Sequence, residues 1–456
     1  MPPDRLKKNI KEQKIIQELL SGNFYGEIYL VGGAIRELIL NKSPNDYDFA
    51  LSDARDIKTF EAIFHAPAFI LGKKPIQTHR IIVKDRSLDI TILKDTIDED
   101  LKRRDFTINA IAYNVRNNSI TDTLQGIEDI GRRVIRYPDE NSIINDPLRM
   151  LKAVRHFTIL RDFSLDNDLT RSITELKHLI NNVAPERIKY EMDMILTSAN
   201  VAAGMKRLEE LGLLFEIFPE LYSLKLLDEE KQFTLETFGH TIDGFNYLHQ
   251  NAGHCNADEK HLKDVGYALL FHDLGKAHTY SYDGQKNAVH FLYHERFSRE
   301  LAQTIMERLK FSTQETREIL ALIEHHMRIF LISNDDSTEK AIRRVVYKIG
   351  ELVPSLVLLT LCDMYGSSGG KDNPSTERVK ARCNDILAMF HEWEKKPLPK
   401  LINGRDLLSL GFAEGPSVGK ALNEIREKQI AGEILTREGA MEYATEQLMQ
   451  LMAHSS

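Results

Sequence analysis

The chain has 456 residues, a formal net charge of −8 and ordinary globular usage, 42% apolar and 28% charged with 25 glycines and 14 prolines, which excludes collagen-like, low-complexity and largely disordered classes. That length exceeds what one hydrophobic core usually organises, so two to four domains are expected. No apolar run approaches the roughly 20 residues of a membrane span, and the opening MPPDRLKKNIKEQK has no apolar segment of signal type, so no membrane partner and a cytoplasmic address are expected.

In chain order, EIYLV (27–31) predicts a strand and AIRELIL (34–40) a helix, and HRIIV (79–83) with LDITIL (88–93) predicts a hairpin around Lys84-Asp85-Arg86-Ser87. From Pro147 onward apolar residues recur at helical spacing almost without a strand, as in LRMLKAVRHF, RIKYEMDMIL, DVGYALLFHDLG and SLVLLTLCDMY. The expected class is α+β, a small mixed α/β head followed by mainly helical domains. Breaks near Tyr137-Pro138-Asp139, near Leu227–Glu230 and in SSGGKDNPS (367–375) suggest domains at 1–137, 138–227, 228–366 and 376–456. The cysteines, Cys255, Cys362 and Cys383, form no CxxC pair and read as packing residues. Bulk charge does not advertise nucleic acid, so an RNA partner must rely on local clusters such as Lys102-Arg103-Arg104, Arg132-Arg133 or Arg343-Arg344.

Gly32-Gly33 follows an apolar strand and opens a helix, a layout that lets backbone N–H groups face a phosphate. Asp46-Tyr47-Asp48 places two carboxylates on one face of an extended segment, and Asp89 interrupts an apolar strand, where an acid is costly unless paired or bound to a metal. Together the three suit a two-metal phosphoryl-transfer centre. Asp46 and Asp48 also read as solvated turn residues after Pro44-Asn45.

The segments VGGAIRELILNKSPNDYDFAL, DEDLKRRDFTINAIAYN (98–114), GIEDIGRRVIR (126–136), NDPLRMLKAVRHF (145–157) and APERIKYEMDMIL (184–196) together resemble the class II tRNA nucleotidyltransferase and poly(A) polymerase family. The resemblance implies a polymerase-beta-like head, then a helical neck that recognises the base and binds RNA. It implies Asp46 and Asp48 as Mg2+ ligands with Asp89 as third catalytic carboxylate. Nucleotide contacts are implied for Gly32, Gly33, Arg36, Arg103, Arg104, Asp105, Asn109, Asp146, Arg149 and Arg155. The family's VRD is here Ile35-Arg36-Glu37, and Asn145 replaces the first acid of its EDxxR motif. Asp146 and Arg149, spaced i, i+3, are expected on one helix face, pointing a carboxylate and a guanidinium at a base's Watson–Crick edge. Asn145 or Asp146 before Pro147 also reads as an N-cap, and Glu186 and Arg187 as supports under that helix.

Further on, His240, His272-Asp273, His294, His325-His326 and Asp363 occur in an order that resembles the HD phosphohydrolase superfamily. In it H…HD…D ligate one divalent ion and further histidines hold a second, giving His240, His272, Asp273 and Asp363 with His294 and His326. Imidazole with carboxylate suits Ni2+, Mn2+, Fe2+ or Zn2+. Some bacterial relatives carry such a domain, with an implied phosphohydrolase activity on RNA ends such as 2′,3′-cyclic phosphates. The tail 401–440, with Gly404, Gly411, Gly415 and Gly419, resembles the family's terminal segment.

The expected function is addition of CCA, or its terminal part, to tRNA from CTP and ATP without a template. The alternatives are an A-adding enzyme, a poly(A) polymerase, or an HD phosphohydrolase whose N-terminal domain senses nucleotides.

Overall fold

The computed structural model describes residues 3–71, 77–230, 237–334 and 337–454, which divide into two compact units on either side of Ile217 and Phe218. The first is built on a seven-stranded sheet: β1 Ile28–Val31, β2 Asp46–Leu51, β3 Phe69–Leu71, β4 Thr78–Val83, β5 Arg86–Ile92, β6 Ala112–Asn114 and β7 Ser119–Thr121, in the order β3-β4-β5-β2-β1-β6-β7. In β2, Tyr47 and Phe49 are buried on one face while Asp46 and Asp48 are more open on the other, the alternation a pleated strand imposes. Phe49 packs edge-on to Phe60 at 5.2 Å between centroids. A second cluster, Val31, Ala50, Ile97, Leu101, Ala110 and Ala112, holds the helix Ile97–Lys102 against the sheet.

Register positions the acids. β1 runs antiparallel to β2 with Val31 opposite Asp48, and β2 runs parallel to β5 with Asp48 opposite Asp89. One row across three strands therefore joins Asp89, Asp48 and the residue that precedes Gly32. The β4–β5 hairpin is tighter than expected. Val83 pairs with Arg86, so only Lys84 and Asp85 turn, and Arg86 and Ser87 belong to the strand. Lys84 takes the positive φ of 58° that such a short connection demands.

After the loop at Pro138 the unit is helical: Asn141–Asn145, Arg149–Ile159, Asn167–Leu176, Pro185–Leu196 and Val201–Glu210. A parallel pair, β8 Val134–Ile135 with β9 Ser164–Leu165, ties the loop to these helices. A Cβ at Gly204 would lie 2.5 Å from Thr158 Oγ1, so glycine lets Arg149–Ile159 and Val201–Glu210 approach closely.

The second unit is a helical body. The stretch 227–230 lies in the helix Tyr222–Glu230. Helices Gly239–Ala252 and Val353–Ser368 touch almost backbone to backbone: a Cβ at Gly366 would lie 2.3 Å from the His240 carbonyl oxygen, and one at Gly244 would lie 3.1 Å from that of Cys362. Two glycines thus bring His240 and Asp363 together. The segment Glu339–Ser368 is apolar enough by length and composition to cross a membrane, with a mean hydropathy of 1.7. It is interrupted by a 3-10 turn at Gly350–Leu352, and 67% of its apolar window is buried within the protein, the pattern of a core helix. The expectation of a mainly helical remainder does not include a hairpin, β10 Tyr280–Asp283 with β11 Ala288–Phe291. Its signal is legible in hindsight as YSYDGQKNAVHF, alternating residues around Asp283-Gly284. The tail helices Gly404–Leu410, Pro416–Ile430 and Arg437–His454 enclose a small core of their own around Leu407, Phe412, Ile425, Ala440 and Ala444. Gly411 and Gly415 flank these helices, while Gly404 and Gly419 lie within them.

Candidate functional site

In the first unit the site starts from Gly32, whose φ of 79° and ψ of −150° only glycine adopts readily. A Cβ there would sit 2.6 Å from Asp48 Oδ2 and 3.3 Å from Arg104 Nη1. The Asp48 carboxylate therefore lies directly against the glycine turn. Burial pushes its pKa up to about 6, reinforced by Asp89, Asp46 and Asp105 and opposed by Arg104. A carboxylate disfavoured in this way gains most from a bound cation.

The three acids do not close on one point as expected. Among the described residues, the sets of three ligand atoms within 4.8 Å of one another both lie in the second unit. Asp89 is turned toward its cross-strand partner Arg80, which donates from Nε at 2.7 Å and Nη2 at 2.6 Å. Asp46 accepts a hydrogen bond from Ser87 Oγ.

Around the turn, Arg36 is buried beneath Gly33, where a Cβ would lie 3.3 Å from its Nη2, and its Nη1 donates to Asn109 Oδ1. The Asn109 amide donates to Asp105 Oδ1 at 3.1 Å, and the Phe106 N–H does so at 2.9 Å. Burial opposes ionisation of Asp105, yet His156, Lys152 and these hydrogen bonds hold its pKa low. Arg36, Asn109 and Asp105 are thus a hydrogen-bonded network under the turn, with the buried Arg36 Nε left without a partner among the described residues. Arg103 faces outward on Asp95 at 2.9 Å, while Arg104, held by Asp100 at 3.1 Å, lies beside the Gly32 turn. Arg155 Nε donates to the buried Glu191 at 2.7 Å, a framework contact.

Asp146 and Arg149 depart from the helical expectation. Asp146 has φ −143° and ψ 86°, between the helices Asn141–Asn145 and Arg149–Ile159, and its side chain caps neither. Arg187 faces it at 3.2 and 3.3 Å, so the acid–base pair there is Asp146 with Arg187. Arg149 instead donates to the carbonyl oxygens of Arg104 at 3.0 Å and Arg103 at 2.6 Å, locking the helix to the arginine pair. The break at Asp146 arises because Pro147 disfavours helical geometry in the residue before it.

In the second unit the expected ligands converge. His240, His272 and Asp273 form one set and Asp273, His294 and His326 another, so Asp273 is common to both. His240 Nε2 lies 3.0 Å from Asp273 Oδ2, and His294 Nε2 lies 3.3 Å from Oδ1. Asp363 Oδ1 is 3.5 Å from His240 and 3.6 Å from His272. The Nδ1 atoms of His272, His294 and His326 meet the carbonyl oxygens of Leu269, Phe291 and Ile323 at 2.7, 2.9 and 2.7 Å. Carbonyls accept only, so Nδ1 carries a proton in each ring and Nε2 is the atom turned inward. His294 and His326 bring their Nε2 atoms within 3.1 Å of each other. Burial pulls His326 down to about 3, whereas His272, despite burial, is raised to about 10 by Asp273 and Asp363. His325 points elsewhere, its Nδ1 accepting from Arg328 at 3.3 Å, so His326 is the geometric ligand. The donor set fits two divalent ions.

A model described as the Poly A polymerase head domain matches residues 28–136, one described as a probable RNA and SrmB-binding site of polymerase A matches 162–224, and the HD domain matches 237–365. The A-adding tRNA nucleotidyltransferase of Deinococcus radiodurans is 30% identical over 423 residues, 90% of this chain and 93% of that protein. The chain belongs to the tRNA nucleotidyltransferase and poly(A) polymerase family. The CC-adding tRNA nucleotidyltransferase of Thermus thermophilus is 29% identical over 424 residues, 91% of this chain and 92% of its own. The Bacillus stearothermophilus CCA-adding enzyme in complex with CTP shares the fold with a TM-score of 0.68 at 22% identity, covering all of both chains. This family member is an enzyme of the nucleotidyltransferase class with an HD domain, and both domains imply divalent metal. Asp146, Arg149 and Arg155 lie between the first two matched segments. Arg80 and Lys276, whose Nζ is 2.5 Å from Asp273, were missed in the sequence, and Arg187 was read there as a helix support. HDLGK held a signal for Lys276, but Arg80 and Arg187 face their acids only through register and helix packing.

Proposed function

We propose that this protein transfers CMP and AMP units from CTP and ATP to the 3′ end of tRNA, completing all or the terminal part of CCA without a template. The observation that carries this reading is the Asp48 carboxylate pressed against the Gly32 turn, in register with Asp89 and beside Arg104. The tRNA 3′-hydroxyl attacks the α-phosphate, a new P–O bond forms, and pyrophosphate leaves. Mg2+ held by Asp46 and Asp48 would acidify that hydroxyl and offset triphosphate charge. Asp89, released from Arg80, takes up the proton or steadies the attacking oxygen. The N–H groups of the Gly32-Gly33 turn and the guanidinium of Arg104 orient the triphosphate. Arg103 adds positive charge at the rim, and Arg36, Asp105 and Asn109 hold the turn from below. Asp146 and Arg187 supply an acceptor and a donor for the base edge, with Arg149 fixing their helix to the arginine pair. Nucleoside triphosphate and tRNA as substrates fit a cytoplasmic address.

The HD residues support a second, hydrolytic activity. His240, His272, Asp273 and Asp363 would hold one ion and His294 and His326, sharing Asp273, another, of a transition metal such as Ni2+, Mn2+, Fe2+ or Zn2+ that makes water nucleophilic near neutral pH.

The A-adding and CC-adding relatives are almost equally similar, so a partial-adding enzyme is the second reading. The purified protein is given tRNA transcripts lacking CCA, CA or only the final A, with CTP and ATP offered separately. Incorporation from both triphosphates supports full CCA addition, AMP alone an A-adding enzyme, and long adenylate tails a poly(A) polymerase. Failure of every transcript to be extended would overturn the reading.

A further inference from the structure

The open face of the seven-stranded sheet extends beyond the three acids. Cross-strand register lines up Phe69, Arg80, Asp89, Asp48 and Val31 in one row over β3, β4, β5, β2 and β1, and residues directly opposite each other share a face. The two ends of that row differ. At the β1 end the helix Ile97–Lys102 packs on Val31 and Ala50, and the Gly32 turn and Arg104 stand against Asp48. At the β3 end the face is open: Phe69 is 45% exposed, and Ile82, two residues along β4 from Arg80, is 47% exposed. Arg80 is itself partly exposed. It commits Nε and Nη2 to Asp89, and among the described residues no acceptor meets its Nη1.

In-line displacement at phosphorus puts the attacking oxygen opposite the leaving pyrophosphate. With the triphosphate on the Gly32-Gly33 turn and Arg104, the attacking 3′-hydroxyl comes from the other side of Asp48, where Asp89, Arg80 and Phe69 follow one another. The nucleotide that carries this hydroxyl has its phosphodiester and its base farther out than the reacting oxygen. A carboxylate, a guanidinium and an aromatic ring, one strand apart at about 4.8 Å each, meet hydroxyl, phosphodiester and base in turn. We propose that Arg80 and Phe69 form the subsite for the 3′-terminal nucleotide of the RNA, Arg80 holding its phosphodiester and Phe69 stacking on its base. This rests on the nucleotidyl-transfer reading and names the residues that hold the acceptor end. The free Nη1 offers the first contact, and a phosphodiester that shares the guanidinium loosens its hold on Asp89, the release that the attack requires. Every base has a π-face, so one platform serves each successive terminal nucleotide.

The test measures, by fluorescence anisotropy in Mg2+ with the full chain, binding of a tRNA transcript that lacks only the final A and ends in 3′-deoxycytidine. Its twin lacks the base on that last nucleotide. Phe69→Ala and Phe69→Leu should weaken the first transcript by about 5- to 150-fold and the baseless one hardly at all, and Phe69→Tyr should restore the difference. Arg80→Gln should flatten the slope of log Kd against log KCl concentration by about 0.7, the share of one phosphate on a single strand, while Arg80→Lys keeps the wild-type slope. In extension of the 3′-hydroxyl transcript, the Phe69 variants should raise KM for tRNA and not KM for ATP. Equal weakening of both transcripts, or a slope unmoved by Arg80→Gln, would overturn the subsite. If the wild type shows this binding pattern but extends no transcript, the transferase reading fails and the RNA subsite stands. If transcripts are extended while base preference and slope stay unmoved in the variants, the subsite fails and the transferase stands.

Discussion

Replacing Asp48 by Asn separates what this residue contributes to chemistry from what it contributes to stability, because the two have opposite signs. Its carboxyl rises from 3.8 to about 6 through burial and through Asp89, Asp46 and Asp105. The folded state thus binds this proton more tightly than the unfolded chain does. Below pH 3.8 both states are protonated and no penalty exists. Between 3.8 and about 6 the unfolded chain ionises first, so stability falls as pH rises, and above about 6 the penalty is constant at up to about 3 kcal/mol. Asp48→Asn removes that penalty. In EDTA at pH 8, the melting transition of the first unit should rise by as much as about 10 °C, and the gain should shrink toward zero as pH drops from 6 to 4. Adding Mg2+ should raise the wild type and leave the variant unmoved, while nucleotide addition by the variant is lost. Calorimetry across pH, with and without Mg2+, measures all of this. A variant melting at or below the wild type at pH 8 would show that the acid is not strained by its neighbours, and the argument for a cation there would fall with it.

Gly32→Ala places a methyl group 2.6 Å from Asp48 Oδ2 in a backbone region alanine avoids, so addition should fall about 100-fold or more with the far-UV spectrum retained. Arg187→Ala or Asp146→Ala should reduce kcat/KM for the preferred triphosphate about 10- to 100-fold and blur CTP against ATP, as expected for loss of a charged hydrogen bond, measured by single-nucleotide incorporation. Chelation should lower the melting temperature of the second unit, and excess Ni2+ at about 100 times its dissociation constant should restore about 2.7 kcal/mol. His326→Ala should lose metal by atomic emission while His325→Ala keeps it, since only His326 turns its Nε2 toward Asp273.

Much of this protein is set by local chemistry that can be read along the chain. The strand before Gly32, the alternation in Asp46-Tyr47-Asp48 and the long helical run after Pro147 follow from period-2 and period-3.6 burial, and the ordered HD ligands follow from residue types that apolar helices otherwise exclude. Where a residue ends up facing is a different matter, because it depends on partners distant in the chain. Asp89 meets Arg80 only because β4 and β5 close on a two-residue turn. Asp146 leaves Arg149 and meets Arg187 because Pro147 breaks the helix and a second helix packs beneath. His326 and not His325 reaches Asp273 because the Ile323 carbonyl holds the His326 ring while Arg328 holds that of His325, and Gly244 and Gly366 let the helices of His240 and Asp363 close together. Periodicity fixes which face of an element is buried, but neighbouring acids and bases choose among partners by distance, and only the packed tertiary structure supplies that distance.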